Sequence, residues 1–228
     1  MSTTKTEEEF SALRMLSVGV VHEIRNPLAV IQSLVELLAQ KTQDKNQQAL
    51  AEAIVTEVKR LNRFLGEFLQ YGRVPELQYE TVDIGTLIQK ALSFAITPEQ
   101  NAIQVIRTDI PEHLPQARLD PDAMHQVLVN AILNALQAMQ GKGRLEIQVK
   151  RPKQHLMIKI QDSGPGIPPE NLEKIFFPFF TTKRNGSGLG LAISQQIVKQ
   201  HGGWMVFENN VNEKGVTLVI NIPQEQIG

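Results

Sequence analysis

The sequence predicts an α+β protein in which a long helical hairpin precedes a domain of helices layered on one sheet. Three observations support this class. Apolar residues recur every three or four positions through roughly the first 70 residues, which is the period of an amphipathic helix. After that point, short alternating segments and helical segments are interspersed. Neighbouring alternating segments with short connections favour hairpins in a single sheet covered by helices, an α/β sandwich.

Two amphipathic helices make up the predicted hairpin. The first runs from about Glu8 to Gln40, and a polar turn at 41–47 separates it from the second. The second keeps its apolar stripe to Phe68, and Gly72 and Pro75 end it. Because one hairpin covers such long stripes incompletely, we expect a homodimer that forms a four-helix bundle. The stripe of the first helix contains Leu13, Leu16, Val20, Ile24, Leu28, Ile31, Leu34 and Leu38.

A linker at 73–80 divides the predicted hairpin domain, 1–72, from the predicted α/β domain, 81–228. Asp83 can cap a helix that ends near Leu92. Residues 162–190 are rich in glycine, proline and phenylalanine and are predicted to be irregular. The remaining predicted elements are helices at about 121–139 and 191–200, and strands at 103–110, 144–151, 155–161, 204–209 and 215–222.

Composition excludes several classes of function. The 228 residues contain no cysteine, which excludes disulfides, cysteine-ligated zinc and thiol catalysis. The net charge of −1 favours neither a nucleic-acid groove nor a membrane surface as partner. No apolar run reaches the ~18 residues of a membrane-spanning helix, and residues 1–10 are unlike a signal peptide. We expect a cytoplasmic segment, or the cytosolic part of a longer membrane-bound sensor.

His22 is the histidine with the most distinctive setting. It lies two positions from the stripe on either side, and at about 100° per residue this places it roughly opposite the stripe, facing solvent. Asn26 shares its face one turn on. Pro27 predicts a local kink at a cost of about 3 kcal/mol. Glu23 can take a proton from one ring nitrogen and leave the other more nucleophilic. An ordinary surface histidine is the alternative.

The asparagine pair, Asn130 and Asn134, lies at i and i+4 on a predicted helix, so both amides face the same way. Two amide oxygens can complete the shell of a magnesium ion whose other ligands are waters and phosphate oxygens. Asparagine is a poor helix former, which makes a pair on one face uncommon. Incidental surface asparagines are the alternative.

The glycine segment, 162–167, follows a predicted strand and contains Asp162, Gly164, Gly166 and Ile167. An aspartate there can accept a hydrogen bond from an exocyclic amine such as that of adenine. The glycines allow the backbone to approach a flat ring closely. The same pattern also occurs in ordinary turns.

Two further segments carry candidate phosphate ligands. In the lid, 176–183, phenylalanines precede hydroxyls and a cation, and we expect Lys183 near the phosphates; a core-forming loop is the alternative. The glycine turn, 186–190, enters a helix, where bare amides form an anion site. Its spacing matches neither the Rossmann nor the Walker pattern. The candidate ligands are Phe179, Thr181, Thr182 and Lys183 of the lid, and Gly186, Ser187, Gly188, Leu189 and Gly190 of the glycine turn.

Residues 17–28, SVGVVHEIRNPL, closely resemble the phospho-acceptor segment of histidine kinases. The resemblance implies that His22 is phosphorylated and that Glu23 is its acid/base neighbour. It also implies that Asn26 orients a water when such proteins dephosphorylate their partner.

The four C-terminal motifs, in this order, resemble the N, G1, F and G2 boxes of the histidine kinase catalytic domain. That domain has the Bergerat fold, shared with the gyrase and Hsp90 ATPases. The resemblance, which suggests a subgroup similar to nitrogen-regulation sensors, implies that the asparagine pair serves magnesium and the phosphates of ATP. It further implies that Asp162 holds adenine and that the glycine turn flanks the triphosphate.

Two positions are informative: Asn130 differs from the related ATPases, and Phe177 differs from many histidine kinases. The related ATPases carry a water-activating glutamate at Asn130, where an amide cannot act as a base. Phe177 stands where many of these kinases have glutamate. We therefore expect ATP-dependent autophosphorylation of His22, transfer to an aspartate of a response regulator, and regulator dephosphorylation. An ATPase clamp and a nucleotide-binding dimeric scaffold are the alternatives.

Overall fold

The computed structural model describes residues 3–72, 76–96, 104–111, 116–140, 142–152, 154–183, 186–211 and 213–224. The side chains of residues 3–20, 22 and 104 lie outside that description. The chain divides into two compact units, Met1–Pro75 and Glu76–Gly228. No helix within the described ranges is both long and apolar enough to cross a membrane.

The first unit is a helical hairpin of α1 (Thr3–Lys41) and α2 (Lys45–Gly72). Helix α1 continues through Pro27. The predicted turn at 41–47 was too long, because Asp44 starts α2 early. Its side chain accepts a hydrogen bond from the Asn46 N–H at 2.8 Å, and its carbonyl accepts one from the Gln48 N–H at 3.0 Å, as expected of a helix N-cap.

The apolar cluster between α1 and α2 differs from the predicted stripe. Val21, which the stripe omits, is 1% exposed and contacts Leu65 and Leu69 of α2. Leu28, a member of the stripe, is partly buried against this cluster. Other stripe members remain exposed in the single chain, namely Ile24, Ile31, Leu34 and Leu38.

The second unit begins with a strand pair that the sequence did not predict. Strand β1 (Glu80–Val82) pairs antiparallel with β3 (Ala117–Leu119). Both are three residues long, too short to show a recognisable alternation. Between them lie α3 (Ile84–Ala95), capped by Asp83 as predicted, and β2 (Gln104–Asp109).

Five strands of the described chain form the main sheet, in the order β2, β4 (Gly143–Lys150), β5 (His155–Asp162), β7 (Val216–Pro223) and β6 (Trp204–Asn209). Strand β2 pairs parallel with β4, and the other neighbours pair antiparallel. Helix α4 (Pro121–Ala138) lies between β3 and β4 in the sequence, and α5 (Gly190–Gln200) precedes β6.

Helices α3, α4 and α5 form one layer beside the sheet, with α4 in contact with both other helices and with β5. Strand β5 alternates between buried and partly exposed positions, as a strand with one covered face does. Residues such as Leu128 and Ile132 of α4 and Ile158 of β5 are completely buried. The predicted α+β class is confirmed, and β5 and the start of α5 bring the glycine segment and the glycine turn to α4.

Candidate functional site

The asparagine pair is fixed by contacts between α4 and α5. Asn130 Nδ2 donates to Oγ of the buried Ser194 at 2.9 Å, which determines the orientation of the Asn130 amide. Asn134 Nδ2 lies 3.4 Å from Asn130 Oδ1. A Cβ atom added at Gly190 would lie 2.6 Å from Asn130 Oδ1, so this oxygen faces the first residue of α5 at close range. The predicted asparagine pair and the end of the predicted glycine turn therefore lie together.

The lid reaches the asparagine pair through Lys183. Its Nζ donates to Asn134 Oδ1 at 2.6 Å and to Gln137 Oε1 at 2.7 Å. Much of the side chain is exposed, but burial of the ammonium group lowers the pKa of Lys183. Both acceptors are neutral amides, so these hydrogen bonds do not neutralise the buried positive charge. The position therefore suits an anion that could approach Lys183.

Asp162 ends β5 with its carboxyl group at the edge of the helical layer. The residue is 5% exposed, and its Oδ1 accepts a hydrogen bond from the Gly164 N–H at 2.8 Å. Burial raises the pKa of Asp162, while hydrogen bonds from the N–H groups of Gly164 and Val216 act in the opposite direction. A buried carboxylate held by backbone donors is a strong acceptor for an additional N–H donor.

The second half of the glycine segment is bonded to the last residue of β6. Gly166 has a φ of +84°, a conformation that favours glycine. Both backbone polar groups of Ile167 bond to the side chain of Asn209: its N–H donates to Oδ1 at 2.8 Å, and its carbonyl accepts from Nδ2 at 2.6 Å. The glycine segment is therefore attached to the end of β6.

The lid crosses the glycine turn with backbone in direct contact. The Phe179 N–H donates to the Gly188 carbonyl at 3.0 Å, and these residues have φ values of +68° and +70°. A Cβ atom at Gly188 would overlap the Phe179 backbone. Thr181 Oγ1 accepts from the Lys183 N–H at 3.1 Å, and a Cβ atom at Gly186 would lie 2.5 Å from that hydroxyl. Glycine is therefore required at 188, where the lid backbone passes, whereas a side chain at 186 would require the Thr181 hydroxyl to move.

The remaining predicted ligands of the C-terminal unit differ in accessibility. Thr182 is exposed. The Leu189 side chain is completely buried, so this residue can present only its backbone to a ligand. Ser187 Oγ accepts from the Leu189 N–H at 3.2 Å, which closes the turn before α5 begins.

The three predicted catalytic residues of the hairpin lie on α1. Glu23 and Asn26 are exposed, and the side chain of His22 lies outside the described residues. Its predicted orientation toward solvent stays a prediction. These residues and the C-terminal site belong to separate compact units.

Sequence reasoning missed three residues that hold the site together. Ser194 is a polar residue within the buried stripe of α5, and that is a signal the sequence did contain. Gln137 lies three positions after Asn134, on the same helical face. Asn209 ends a predicted strand, where an asparagine is ordinary. For Asn209, only the tertiary structure reveals the contact.

The assembled site has a buried carboxylate at one end and an ammonium, amide oxygens and a helix N-terminus at the other. Such a site can bind a ligand with an N–H donor at one end and negative charge at the other. Among the described residues, no group of three or more His, Cys, Asp or Glu side chains could hold a metal ion. A cation here would have the asparagine oxygens and the ligand's own oxygens as neighbours.

Comparison with known proteins gives matches to both units. Residues 12–76 match the model described as the His Kinase A (phospho-acceptor) domain. Residues 119–226 match the model described as histidine kinase-, DNA gyrase B-, and HSP90-like ATPase. Sensor histidine kinase ZraS of Salmonella typhimurium is 36% identical over 225 residues, covering 98% of this chain and 48% of ZraS. The chain thus spans about half the length of this relative.

Two solved structures agree with these matches. Histidine kinase ThkA, in complex with response regulator protein TrrA, is 28% identical with a TM-score of 0.73, covering 97% of this chain and 65% of that chain. The catalytic domain of ThkA alone is 30% identical with a TM-score of 0.60, covering 65% of this chain and 97% of that domain. This chain belongs to the histidine kinases, with a phospho-acceptor hairpin followed by an ATPase-like catalytic domain.

Proposed function

We propose that the C-terminal unit binds ATP and that the γ-phosphoryl group passes first to His22 and then to an aspartate of a response regulator. The observation that carries this proposal is the contact of Lys183 with Asn134 beside the N-terminus of α5. This contact brings an ammonium group and amide oxygens close to the glycine turn, at a position where a triphosphate could bind. The names of ZraS and of the ThkA–TrrA complex support the assignment.

Asp162 is the proposed acceptor for the adenine base. Its ionised carboxyl group would accept a hydrogen bond from the exocyclic amine of adenine. Guanine presents a carbonyl oxygen at the corresponding position, so it would meet the carboxylate with repulsion. Gly164 and Gly166, which have no side chains, would allow the backbone to lie against the ring.

The asparagine pair is the proposed holder of a magnesium ion, and the residues present fit that ion. Asn134 Oδ1 accepts from the Lys183 ammonium group. The bond from Asn130 Nδ2 to Ser194 turns Asn130 Oδ1 toward Asn134 and the N-terminus of α5, so both amide oxygens lie in the same place. Amide oxygens are ligands that magnesium accepts alongside water and phosphate oxygens. When bound, magnesium would neutralise charge on the phosphate oxygens.

His22 is the proposed nucleophile. One of its ring nitrogens forms a bond to the γ-phosphorus while the bond from that phosphorus to the bridging oxygen breaks and ADP leaves. Glu23, exposed on the same helix, would take the proton from the other ring nitrogen. Asn130 has no basic group with which to activate a water, which favours transfer to His22 over hydrolysis.

A second copy of the chain is the proposed partner of the hairpin. Leu34 and Leu38 of α1 are 61% and 59% exposed in the single chain, and Leu50 of α2 is 64% exposed. Burying such residues in a four-helix bundle would stabilise the hairpin. Light scattering should then give about twice the chain mass of 25.5 kDa, and a monomeric mass would contradict the dimer.

Because ATP is supplied inside the cell, we place this segment in the cytoplasm.

Incubation with γ-labelled ATP and magnesium tests the transfer. The wild type should acquire a label that acid removes and base does not, as expected of phosphohistidine. His22→Gln should still bind ATP but remain unlabelled, and the matched control His155→Gln should be labelled normally. Release of phosphate without labelled protein would instead indicate an ATPase clamp, and nucleotide binding without either would indicate a scaffold.

Regulator dephosphorylation is a second proposed activity, favoured by the exposure of Asn26 one turn after His22. An exposed amide can orient a water toward a phosphoaspartate docked on the hairpin. Asn26→Ala should accept phosphate on His22 at the normal rate and lose the ability to dephosphorylate a regulator. Equal dephosphorylation by the variant and the wild type would eliminate this role.

A further inference from the structure

Two side-chain amides at the end of β6 contact both ends of the glycine segment. Asn209 bonds to the N–H and to the carbonyl of Ile167 at 2.8 and 2.6 Å. Asn210 Nδ2 donates to the carbonyl oxygen of Asp162 at 3.3 Å. The last residue of β6 and the first residue of the turn that follows it therefore contact the last and first residues of the segment, respectively.

This turn is itself closely fitted. Asn210 Oδ1 accepts from Thr217 Oγ1 at 2.8 Å, and the Asn210 N–H donates to the Gly215 carbonyl at 3.1 Å. A Cβ atom at Gly215 would overlap the Asp162 carbonyl oxygen. These contacts fix the turn against the end of β5.

The two ends of the glycine segment are held by different means. Near the first end, the Ser163 N–H donates to the Arg144 carbonyl at 3.1 Å, and Ser163 Oγ accepts from the Arg144 N–H at 2.9 Å. At the other end, a single side chain, that of Asn209, bonds to both polar groups of Ile167. The preceding Gly166 has a positive φ, and a Cβ atom there would lie 3.0 Å from Asn209 Oδ1. Asn209 therefore determines where the peptide between Gly166 and Ile167 lies.

We propose that Asn209 is a positioning residue for base selection, a role that rests on the proposed binding of an adenine nucleotide at Asp162. Asn209 acts through the backbone and does not itself touch the base. It holds the peptide between Gly166 and Ile167 where that peptide limits the movement of the ring. The ring then stays where Asp162 reaches the amine of adenine and repels the carbonyl of guanine.

A purely structural role for Asn209 has different consequences. Loss of a structural contact would lower the melting temperature without nucleotide and would weaken all nucleotides alike. Loss of a positioning contact would weaken ATP selectively, because only adenine gains a hydrogen bond from correct placement against Asp162. Asn209 is exposed, which allows its side chain to be changed without leaving a cavity in the core.

The affinities for ATP and GTP are measured by displacement of a fluorescent ADP analogue from the whole chain in the presence of magnesium. Asn209→Ala removes both hydrogen bonds, and we expect about tenfold weaker ATP binding. GTP binding and the nucleotide-free melting temperature should be unchanged, so the ATP-to-GTP preference falls about tenfold. The KM for ATP in His22 labelling should rise with little change in kcat.

Asn209→Asp should behave like Asn209→Ala. It keeps an acceptor for the Ile167 N–H but sets a carboxylate against the Ile167 carbonyl. Glu208→Ala is the matched control, because Glu208 is exposed on the same strand and points to the opposite face of the sheet. Its nucleotide affinities should equal those of the wild type.

Three results would overturn the role of Asn209 in base selection. These are ATP affinity within twofold of the wild type, equal weakening of ATP and GTP, and a lowered melting temperature or lost cooperative unfolding of Asn209→Ala. If His22 of the wild type is still labelled from ATP, the proposed function stands in each case. A wild type that binds no ATP would overturn the proposed function as well.

Discussion

Lys183 Nζ lies 2.6 Å from Asn134 Oδ1, so an ammonium group of the lid contacts the asparagine pair on α4. Gln137 of α4 provides a second neutral acceptor at 2.7 Å. Burial lowers the pKa of Lys183, and neither acceptor carries a negative charge. A phosphate oxygen would be a stronger partner for this ammonium group than either amide. The contact therefore places Lys183 beside the asparagine pair, ready to bind an anion.

Lys183→Met is expected to slow His22 labelling at low ATP on the order of 10- to 100-fold, the effect of losing a charge-assisted hydrogen bond. The variant should not unfold more easily without nucleotide. A lysine pKa that is lower in the folded unit than in the unfolded chain means that the charged lysine lowers the free energy of unfolding. This destabilisation is fully present at pH values below the folded pKa, and replacing the lysine removes it. The measurements are initial labelling rates and urea unfolding.

Lys174→Met is the control for that experiment, because Lys174 is an exposed lysine just before the lid. It should leave labelling and unfolding unchanged. If Lys183→Met labels like the wild type, the lid lysine does not contact the phosphates.

Most of the α/β unit was predictable because periodicity and capping are local. The helix at α4, the hairpin of β4 and β5, and the cap at Asp83 all follow from residues within a few positions of one another. The pair of β1 and β3 was missed because each strand is short and its partner lies far along the chain. The register of such a pair depends on tertiary packing, which periodicity does not report.

In the candidate site, too, the features that depend on local sequence were predicted and those that depend on tertiary contacts were missed. The asparagine pair and the glycine segment were identified from residue types that their chemistry requires. Ser194 and Asn209 were missed because they act by holding other residues across 64 and 42 positions of sequence. The burial of Val21, in place of stripe members such as Ile24, shows a further limit. Spacing gives the period of a helix more reliably than it gives the exact face that meets one neighbour.

Asp162 should give the C-terminal unit a distinctive pH dependence. Burial raises its pKa above the ordinary 3.8. Between 3.8 and the raised folded pKa, the folded unit binds a proton that the unfolded chain releases, so the Asp162 contribution to stability falls as pH rises through this window. ATP binding should change in the opposite direction, because the ionised carboxylate is the proposed acceptor for adenine.

Asp162→Asn tests both effects through urea unfolding and ATP binding over a pH series. In the variant, the free energy of unfolding should lose the part of its pH dependence that comes from Asp162. The variant should also bind ATP on the order of 10- to 100-fold more weakly at neutral pH. Asp122→Asn, at an exposed aspartate in the first turn of α4, is the control and should keep the wild-type slope. A slope unchanged in Asp162→Asn would show that another group titrates in the window.

Gly190→Ala should displace Asn130 without unfolding the unit. The added Cβ atom would lie 2.6 Å from Asn130 Oδ1, and 3.1 and 3.2 Å from its Cγ and Nδ2. Alanine is the best helix former, so the backbone at the start of α5 tolerates it, and the conflict is confined to the amide. Rotation of Asn130 would break its hydrogen bond to Ser194 and misdirect Oδ1. Binding of the fluorescent ADP analogue with magnesium should weaken at least about tenfold.

Gly66→Ala provides the comparison, because the added Cβ atom would meet its nearest atom, Arg25 Nη2, at an ordinary 3.6 Å. Gly66 lies inside α2, where alanine should stabilise the helix by about 0.5–1 kcal/mol. That variant should bind nucleotide normally and melt at the same or a higher temperature. If Gly190→Ala retains wild-type affinity while circular dichroism shows it folded, the orientation of Asn130 is not needed for nucleotide binding. The asparagine pair would then have to act through Asn134 alone.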